Sequence, residues 1–541
     1  MLLKKLSDFY IKNEKIILLT FFLLCFVFSR GPYLNRDVVN PDSVNWHTRS
    51  EQFVNGLKYF QLDKTYQHYQ PGVTLMWIMG SSIEVVKQLF LNDAPYSRFT
   101  FPIYDLIAKI TVVTFQLVLS FLAIYLFSRF FDLRKAVLIV LAFSMEPFFI
   151  GNSRLVHLDI LLSLLLLNGL LLSFWAVKEF SWAKLVISAL LFALAFLTKS
   201  IGVGGFLFAA GVGGLVILFD LKKTGETTSA AIKKAFKFSG ALTIGTIALI
   251  FLFWPALWVN FKEVLEFLYY GAFRVGLAKG HNQVFLEDST RDAGWLFYPV
   301  VLLYKTSIFT SLGVLLAAAL SLREVFKAKS LNFKKFFNNL SIEHYLLLFY
   351  IGYFVVMSVS SKKIDRYAVI MYPMLTLLAV SAYYKLYSFV KTKNHYFIFL
   401  NLLIAYSFLL PIFSFYPYYF TYTNPLLGSP KYVHENILAQ KPFGVGMYEV
   451  RDLIDEKYGS NLNVALIDPK PMAAIYGNEN ALDVAVVGTR GFDILVLGVN
   501  EKMPGKISRG KYEFTHSDSI FINGLEYWRI YVRGAEKTKT P

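Results

Sequence analysis

The sequence predicts an α-helical protein that crosses a membrane many times and ends in a small soluble α/β domain. Three observations predict it. Hydrophobic residues make up 55% of the chain and charged residues only 17%, against roughly 25% charged in soluble domains. Apolar runs long enough to cross about 30 Å of hydrocarbon recur from the N-terminus to residue 416, and beyond residue 425 the composition is that of an ordinary globular domain.

Taken in order, the apolar runs lie near 15–31, 102–128, 136–152, 156–177, 182–198, 201–220, 238–258, 296–320, 343–360, 367–386 and 396–416, which makes about eleven spans. They divide the chain into a membrane domain, 1–425, and a soluble domain, 426–541, with long loops at 32–101 and 259–295. The first run follows Lys4, Lys5, Lys12 and Lys15 as a secretory leader would. Ser29-Arg30-Gly31-Pro32-Tyr33 offers no small-residue cleavage site, so a retained span is expected. Cys25, the single cysteine, lies within that run, cannot form an intrachain disulfide and does not report the redox compartment.

Orientation follows from the basic residues, which concentrate in short cytoplasmic loops. With the N-terminus inside, alternate connections carry Arg129/Arg134/Lys135, Lys178/Lys184, Lys222/Lys223/Lys233/Lys234/Lys237, Arg323/Lys327/Lys329/Lys334/Lys335 and Lys385/Lys391/Lys393. Every one of these loops is basic. An odd number of crossings then places the C-terminal domain outside, as expected of a multi-pass cell-membrane protein. The same distribution accounts for the net charge of +17. No aromatic-basic module accompanies it, which argues against a nucleic-acid partner.

The first loop carries helical periodicity at Glu51 to Phe60 and Val73 to Phe90, with apolar faces suited to lying flat at the interface. Between them Tyr66-Gln67-His68-Tyr69-Gln70-Pro71-Gly72 reads as a turn. After the last run, Phe415-Tyr416-Pro417-Tyr418-Tyr419-Phe420 forms an interfacial aromatic belt. The soluble domain shows a helical pattern from Met447 to Tyr458. Buried strands are expected at Val464-Ala465-Leu466-Ile467 and Asp493-Ile494-Leu495-Val496-Leu497, with an alternating strand at Glu526 to Val532.

Five cations break the charge rule by lying in short outer turns: Arg154, Lys199, Lys362, Lys363 and Arg366. A charge at the rim of a membrane is costly and is a functional candidate by default, although any one such side chain can also snorkel to headgroups. Convergent guanidinium and ammonium groups suit phosphate, and apolar surroundings suit a lipid tail. Together they propose a lipid phosphate or pyrophosphate as ligand. Asp159, two residues after His157, reads either as a site carboxylate or as a helix-start carboxylate favoured by the macrodipole. Asp365 reads as a salt-bridge partner of Lys363 and Arg366. Asp42 stands in a polar loop, Pro41 to Arg49, away from neutralising neighbours. A carboxylate there is ionised at neutral pH and can accept a proton from a hydroxyl held against it, or it can simply cap a turn; Asp37 is the local rival.

No metal-ligating spacing is present: His68, His157 and His281 are scattered and the first loop holds no D-x-D. No cofactor is implied. The glycines at Gly202, Gly204, Gly205, Gly211, Gly213 and Gly214 form no phosphate loop and suit close helix packing.

The chain resembles the multi-spanning glycosyltransferases that use polyprenyl-phosphate sugars, in particular the protein O-mannosyltransferase and aminoarabinose transferase superfamily with the C-type fold. The resemblance rests on Asp42, Tyr69-Gln70-Pro71-Gly72-Val73-Thr74, Asn152 to Asp159, Leu197-Thr198-Lys199-Ser200, Trp254-Pro255-Ala256-Leu257-Trp258, Gly294 to Pro299 and Lys363-Ile364-Asp365-Arg366-Tyr367, in order over residues 1–425. It implies an inverting transfer from a polyprenyl-phosphate sugar to a hydroxyl on a protein, glycan or lipid acceptor. Asp42 is then the base, Asp159 a second catalytic carboxylate, and Arg154, Lys199, Lys362, Lys363 and Arg366 bind the donor phosphate. His68, Tyr69, His157, Tyr298 and Tyr367 are further substrate-site candidates. Ser43 follows Asp42 where protein mannosyltransferases often carry Glu, and Gln70 stands where aminoarabinose transferases commonly carry Lys, which leaves the acceptor class open. A transporter or flippase for a phosphorylated lipid is the rival reading, but such proteins often show repeated halves and midplane charges, whereas here the charges cluster at one side. A receptor or scaffold acting through the C-terminal domain is a third.

Overall fold

The computed structural model describes residues 2–223, 227–278, 280, 283–327, 337, 340–390, 394–486, 491–510 and 512–536. His281, Lys329, Lys334, Lys335, Lys391 and Lys393 lie outside the described residues.

Six helices among the described residues are long and apolar enough to cross a membrane: Phe101–Phe127, Asp159–Lys178, Ser200–Phe219, Thr228–Phe253, Ile342–Val359 and Asp365–Phe389. A seventh candidate, Ile398–Ser414 with Tyr419–Leu427, bends by 117°, and Trp182–Thr198 and Ile308–Arg323 are shorter apolar helices. Two expected spans are broken. The run at 136–152 divides into Leu133–Ser144 and Pro147–Ser153, where Pro147 cannot continue the preceding helix. The run at 296–320 divides into Phe297–Lys305 and Ile308–Lys327. The two breaks meet. Glu146, from the first, accepts hydrogen bonds from Ser307 N at 2.7 Å and Ser307 Oγ at 2.6 Å, and a further one from Thr310 Oγ1. A carboxylate thereby caps the N-terminus of the second helix, where the orphan amides need an acceptor.

The centre of the bundle is the Asp159–Lys178 helix, nearly all of it buried and packed against Phe101–Phe127, Trp182–Thr198 and Val203–Lys223. It is apolar all round, as a helix enclosed by other helices must be. The next helix returns antiparallel, which brings Lys199, just past its end, back beside Asp159. The turn 360–364 that follows Ile342–Val359 carries Lys362 and Lys363 and leads to Arg366, which faces Asp159.

The C-terminal part holds a five-stranded sheet in the order Ala481–Asp483, Val464–Leu466, Ile494–Gly498, Leu525–Glu536, Tyr512–Ile522. The first three strands are parallel and the last two form an antiparallel hairpin on the edge. The expected helix is present at Met447–Lys457, and a further one runs over Lys470–Tyr476. Val464, Leu466, Met472, Ile494 and Ile530 share one apolar cluster with Val38, Val39, Phe101 and Leu155 of the membrane part. The sheet domain is therefore seated on the end of the bundle where Asp159 and Lys199 lie.

The seating is also made by backbone. Val38 pairs with Val445, Val39 N–H donates to Gly444 O at 3.1 Å, and Gly446 N–H donates to Asp37 O at 2.9 Å. Gly444 has φ of +71°, and a Cβ there would lie 1.9 Å from Val39 O, so the approach is open only to glycine. Tyr33 OH donates to Glu449 Oε1 at 2.8 Å and Arg36 pairs with Asp452. These contacts fix the chain immediately before Asp42.

Candidate active site

Asp42 was expected in a loop and instead lies in the first turn of a helix, Pro41–Lys58, that starts ten residues earlier than the apolar periodicity suggests. The local sequence explains it. Asn40 caps the helix, its Oδ1 accepting from Ser43 N–H at 2.7 Å, and Pro41 occupies the first helical position. The helix start also favours a carboxylate electrostatically.

Four of the residues singled out in the sequence converge on Asp42. Arg366 Nη2 donates to Asp42 Oδ2 at 2.8 Å, and His157 Nε2 lies 3.3 Å from the same oxygen. His157 Nδ1 stands 3.1 Å from Asp159 Oδ2, Lys199 Nζ donates to Asp159 Oδ1 at 2.8 Å, and Arg366 Nε faces Asp159 Oδ2 at 3.5 Å. His157 and Arg366 each touch both carboxylates. The two carboxylates differ in access: the Asp42 side chain is 36% exposed and that of Asp159 2%. Burial alone would push the Asp42 carboxyl up, but His157 and Arg366 outweigh it and hold the group well below the usual carboxylate range. Lys199 Nζ also lies 3.9 Å from the centre of the Tyr367 ring, and Arg366 lies 5.0 Å from the ring of Phe443, contributed by the C-terminal sheet domain.

The His68-Tyr69 turn closes one flank. His68 Nδ1 accepts from Gln70 N–H at 3.2 Å, which leaves Nε2 to carry the proton of the neutral ring. Burial, reinforced by Arg49, lowers the His68 pKa to about 4. Tyr69 packs against Gly271, where a Cβ would come within 2.7 Å of Tyr69 Cβ. Lys362 engages no carboxylate among the described residues, and its charge acts on His68.

Arg154 is the clear exception. It is fully buried, and Nε donates to Asp37 Oδ2 at 2.6 Å, Nη1 to Ser29 O at 3.1 Å and Nη2 to Pro32 O at 2.9 Å. With its donors committed to the chain, it cannot receive a phosphate. Asp37 is likewise buried, between Arg154 and Lys109. Lys363 is tied down as well, donating to Asp292 Oδ1 at 3.2 Å and to Ser360 O at 2.6 Å, and Tyr298 is fully buried in the apolar core.

Arg49 was missed. It lies seven residues after Asp42 and so on the same face of the Pro41–Lys58 helix, with its guanidinium 4.7 Å from the Trp46 ring and no carboxylate at ion-pair distance among the described residues. Burial lowers its pKa, while the nearby Asp42 and Tyr69 act in the opposite direction. The signal was present in Asn40-Pro41: recognising that cap places Asp42 and Arg49 on one helix. Phe443 carried no comparable signal. Arg49, Lys199, Lys362 and Arg366 face the carboxylates of Asp42 and Asp159, and of these cations Arg49 and Lys362 have no carboxylate at ion-pair distance among the described residues.

No family model and no curated protein sequence matches the chain. Solved structures do match. ArnT from Cupriavidus metallidurans in the apo state is similar with a TM-score of 0.50 at 14% identity, over 96% of this chain and 98% of that one. ArnT bound to undecaprenyl phosphate gives 0.48 at 13%, with the same coverage. The oligosaccharyltransferase of Archaeoglobus fulgidus in the apo form gives 0.48 at 12%, over 90% of this chain and 70% of that one. At these identities the likeness is one of fold: the protein has the C-type fold of membrane glycosyltransferases, with a small α/β domain at its C-terminus.

Proposed function

We propose that the protein transfers a sugar from a polyprenyl-phosphate donor to an acceptor hydroxyl, with inversion, at the site around Asp42. The observation that carries this reading is the pair of cations, Arg49 and Lys362, that stand without a carboxylate partner among the described residues beside a half-exposed carboxylate that Arg366 and His157 already engage. A polyprenyl-phosphate sugar is a phosphodiester with one negative charge, and its departing phosphate acquires a second. Cations waiting for that charge stabilise the transition state more than the ground state, which is the requirement for catalysis.

In this reaction the acceptor oxygen attacks the anomeric carbon from the face opposite the phosphate. The bond from that carbon to the phosphate oxygen breaks, its electron pair leaves with the phosphate, and the hydroxyl proton passes to Asp42. Held by Arg366 and His157, Asp42 is a weak base because these two groups stabilise its anion. Donor phosphate competes for Arg366, which weakens that hold and raises the basicity of Asp42 when the donor is in place. Asp159 stays behind as the counter-ion that aligns Lys199, His157 and Arg366, a positioning role. We further place the membrane domain at 1–425 and the soluble domain at 426–541, with the N-terminus cytoplasmic and the soluble domain outside, as the distribution of basic loops supports.

The test incubates purified protein with polyprenyl-phosphate sugars labelled in the sugar, together with glycan, peptide and lipid acceptors. Appearance of labelled acceptor with stoichiometric polyprenyl phosphate is expected. Label that crosses reconstituted vesicles while still joined to its lipid, with no bond broken, would instead establish a lipid transporter.

A further inference from the structure

The Pro41–Lys58 helix has a second working face. Val44, His47, Thr48 and Glu51 lie opposite Asp42 and Arg49 on the helix, and they form one wall of a cavity of about 650 Å³ whose other wall is residues 470–480 of the soluble domain. Its volume falls in the range of small-ligand pockets, about 300–1,000 Å³. The floor is firmly built. His47, 2% exposed, sits 3.1 Å from Tyr96 OH through Nδ1 and 3.1 Å from Asp105 Oδ1 through Nε2. Asp105 in turn pairs with Lys109 at 3.0 Å.

The lining differs in kind from the Asp42 site. The lining carries Arg98 and Lys470 with Glu51 and Glu479, charges of both signs rather than a run of cations; Glu51 also pairs with Lys87 at 2.9 Å, and Arg98 donates to Asn461 Oδ1 at 3.1 Å. Asn461, Asn478 and Asn480 supply amides, Thr48 and Ser97 hydroxyls, and Tyr96 and Tyr476 aromatic surface. Amides and hydroxyls beside aromatic rings fit a ligand with many hydroxyl groups and apolar C–H faces. The turn at 468–470 joins the two places: Asp468 is close enough to Asp42 for their charges to interact, and Lys470 lines the cavity. The separation is about 10 Å, the diameter of one helix, a distance that a short sugar chain covers around the helix start.

We infer that this cavity binds an uncharged oligosaccharide, the distal part of a glycan acceptor whose reacting hydroxyl lies at Asp42. The inference rests on the glycosyl-transfer reading for its purpose, but binding itself requires no turnover. The acceptor is thus recognised jointly by the first loop and the soluble domain, and its uncharged chain is kept apart from the cationic pocket that takes the phosphate.

The test probes the labelled full-length protein in detergent against an array of neutral and charged glycans and unmodified peptides. Ala474→Trp fills the cavity and Asn478→Ala removes an exposed amide; melting temperatures establish that both variants fold. Expected are neutral glycans bound by wild type and by Asp42→Asn alike, at least tenfold more weakly by Ala474→Trp and several-fold more weakly by Asn478→Ala. With such a glycan as acceptor, KM rises in both variants while kcat holds. Absence of neutral glycan binding, binding that ignores Ala474→Trp, or capture of peptides alone would overturn the assignment. Cavity-dependent glycan binding without any release of polyprenyl phosphate would refute the transfer reading and leave this one standing, whereas transfer indifferent to Ala474→Trp would do the reverse.

Discussion

The guanidinium of Arg366 donates to the carboxylate of Asp42 at 2.8 Å across 324 positions of sequence, joining the first loop to the start of the Asp365–Phe389 span. The same side chain faces Asp159 through Nε at 3.5 Å. A planar fork can hold two partners in fixed directions, and an ammonium cannot. Arg366→Lys is therefore expected to lower kcat about 10²-fold, in line with the loss of one preorganised donor, while shifting the melting temperature little. Unchanged kcat would remove Arg366 from the site.

Asp159 is the buried counter-ion of the cluster, and Asp159→Asn leaves Lys199 and Arg366 short of a negative partner. Breaking a buried pair from one side costs about 3–5 kcal/mol. A large fall in thermal stability is expected, measured in detergent, and the Asp159→Asn, Lys199→Met double variant should recover part of it. A stable single variant would show that Asp159 is not held as a counter-ion.

His68 gives stability a pH dependence whose sign is fixed. Burial, with Arg49, holds its folded pKa at about 4, below an unfolded value of about 6.5. Between those values the unfolded chain binds more protons, so the contribution is complete above about pH 6.5 and is lost as pH falls towards 4. Wild type is expected to lose about 1–2 kcal/mol more than His68→Gln between pH 7 and pH 5. Parallel melting curves at the two pH values would contradict this.

Gly444 lets the C-terminal sheet domain dock beside Asp42. Gly444→Ala places a Cβ against Val39 O in a left-handed conformation, a backbone strain of about 1–3 kcal/mol before the clash is counted. Faster proteolysis of the 444–446 segment and reduced transfer are expected together. Normal protease resistance would show that the docking tolerates a side chain.

The membrane class, the sheet domain and most of the converging residues were legible in the sequence because each rests on a strong local signal: long apolar runs, short buried strands, and charges where lipid penalises them. Arg366, Lys199 and Asp159 announced themselves in that way. The broken spans were not legible, since Glu146 and the Ser307-Thr310 turn complete one another only in three dimensions. Arg154 obeyed the same rule as Arg366 yet serves the interior, because sequence shows a misplaced charge without showing its partner. Arg49 was hidden by taking Asn40-Pro41 as loop rather than helix start.

The most direct test of the account is single-turnover release of polyprenyl phosphate and formation of product by wild type, Asp42→Asn and Asp42→Glu, with the anomeric configuration of the product determined. Expected are a loss of at least about 10³-fold in Asp42→Asn, partial activity in Asp42→Glu, a cooperative melting transition in both with Asp42→Asn the less stable because Arg366 loses its partner, and an inverted anomeric centre. Near-normal turnover by Asp42→Asn, or retention of configuration, would contradict it.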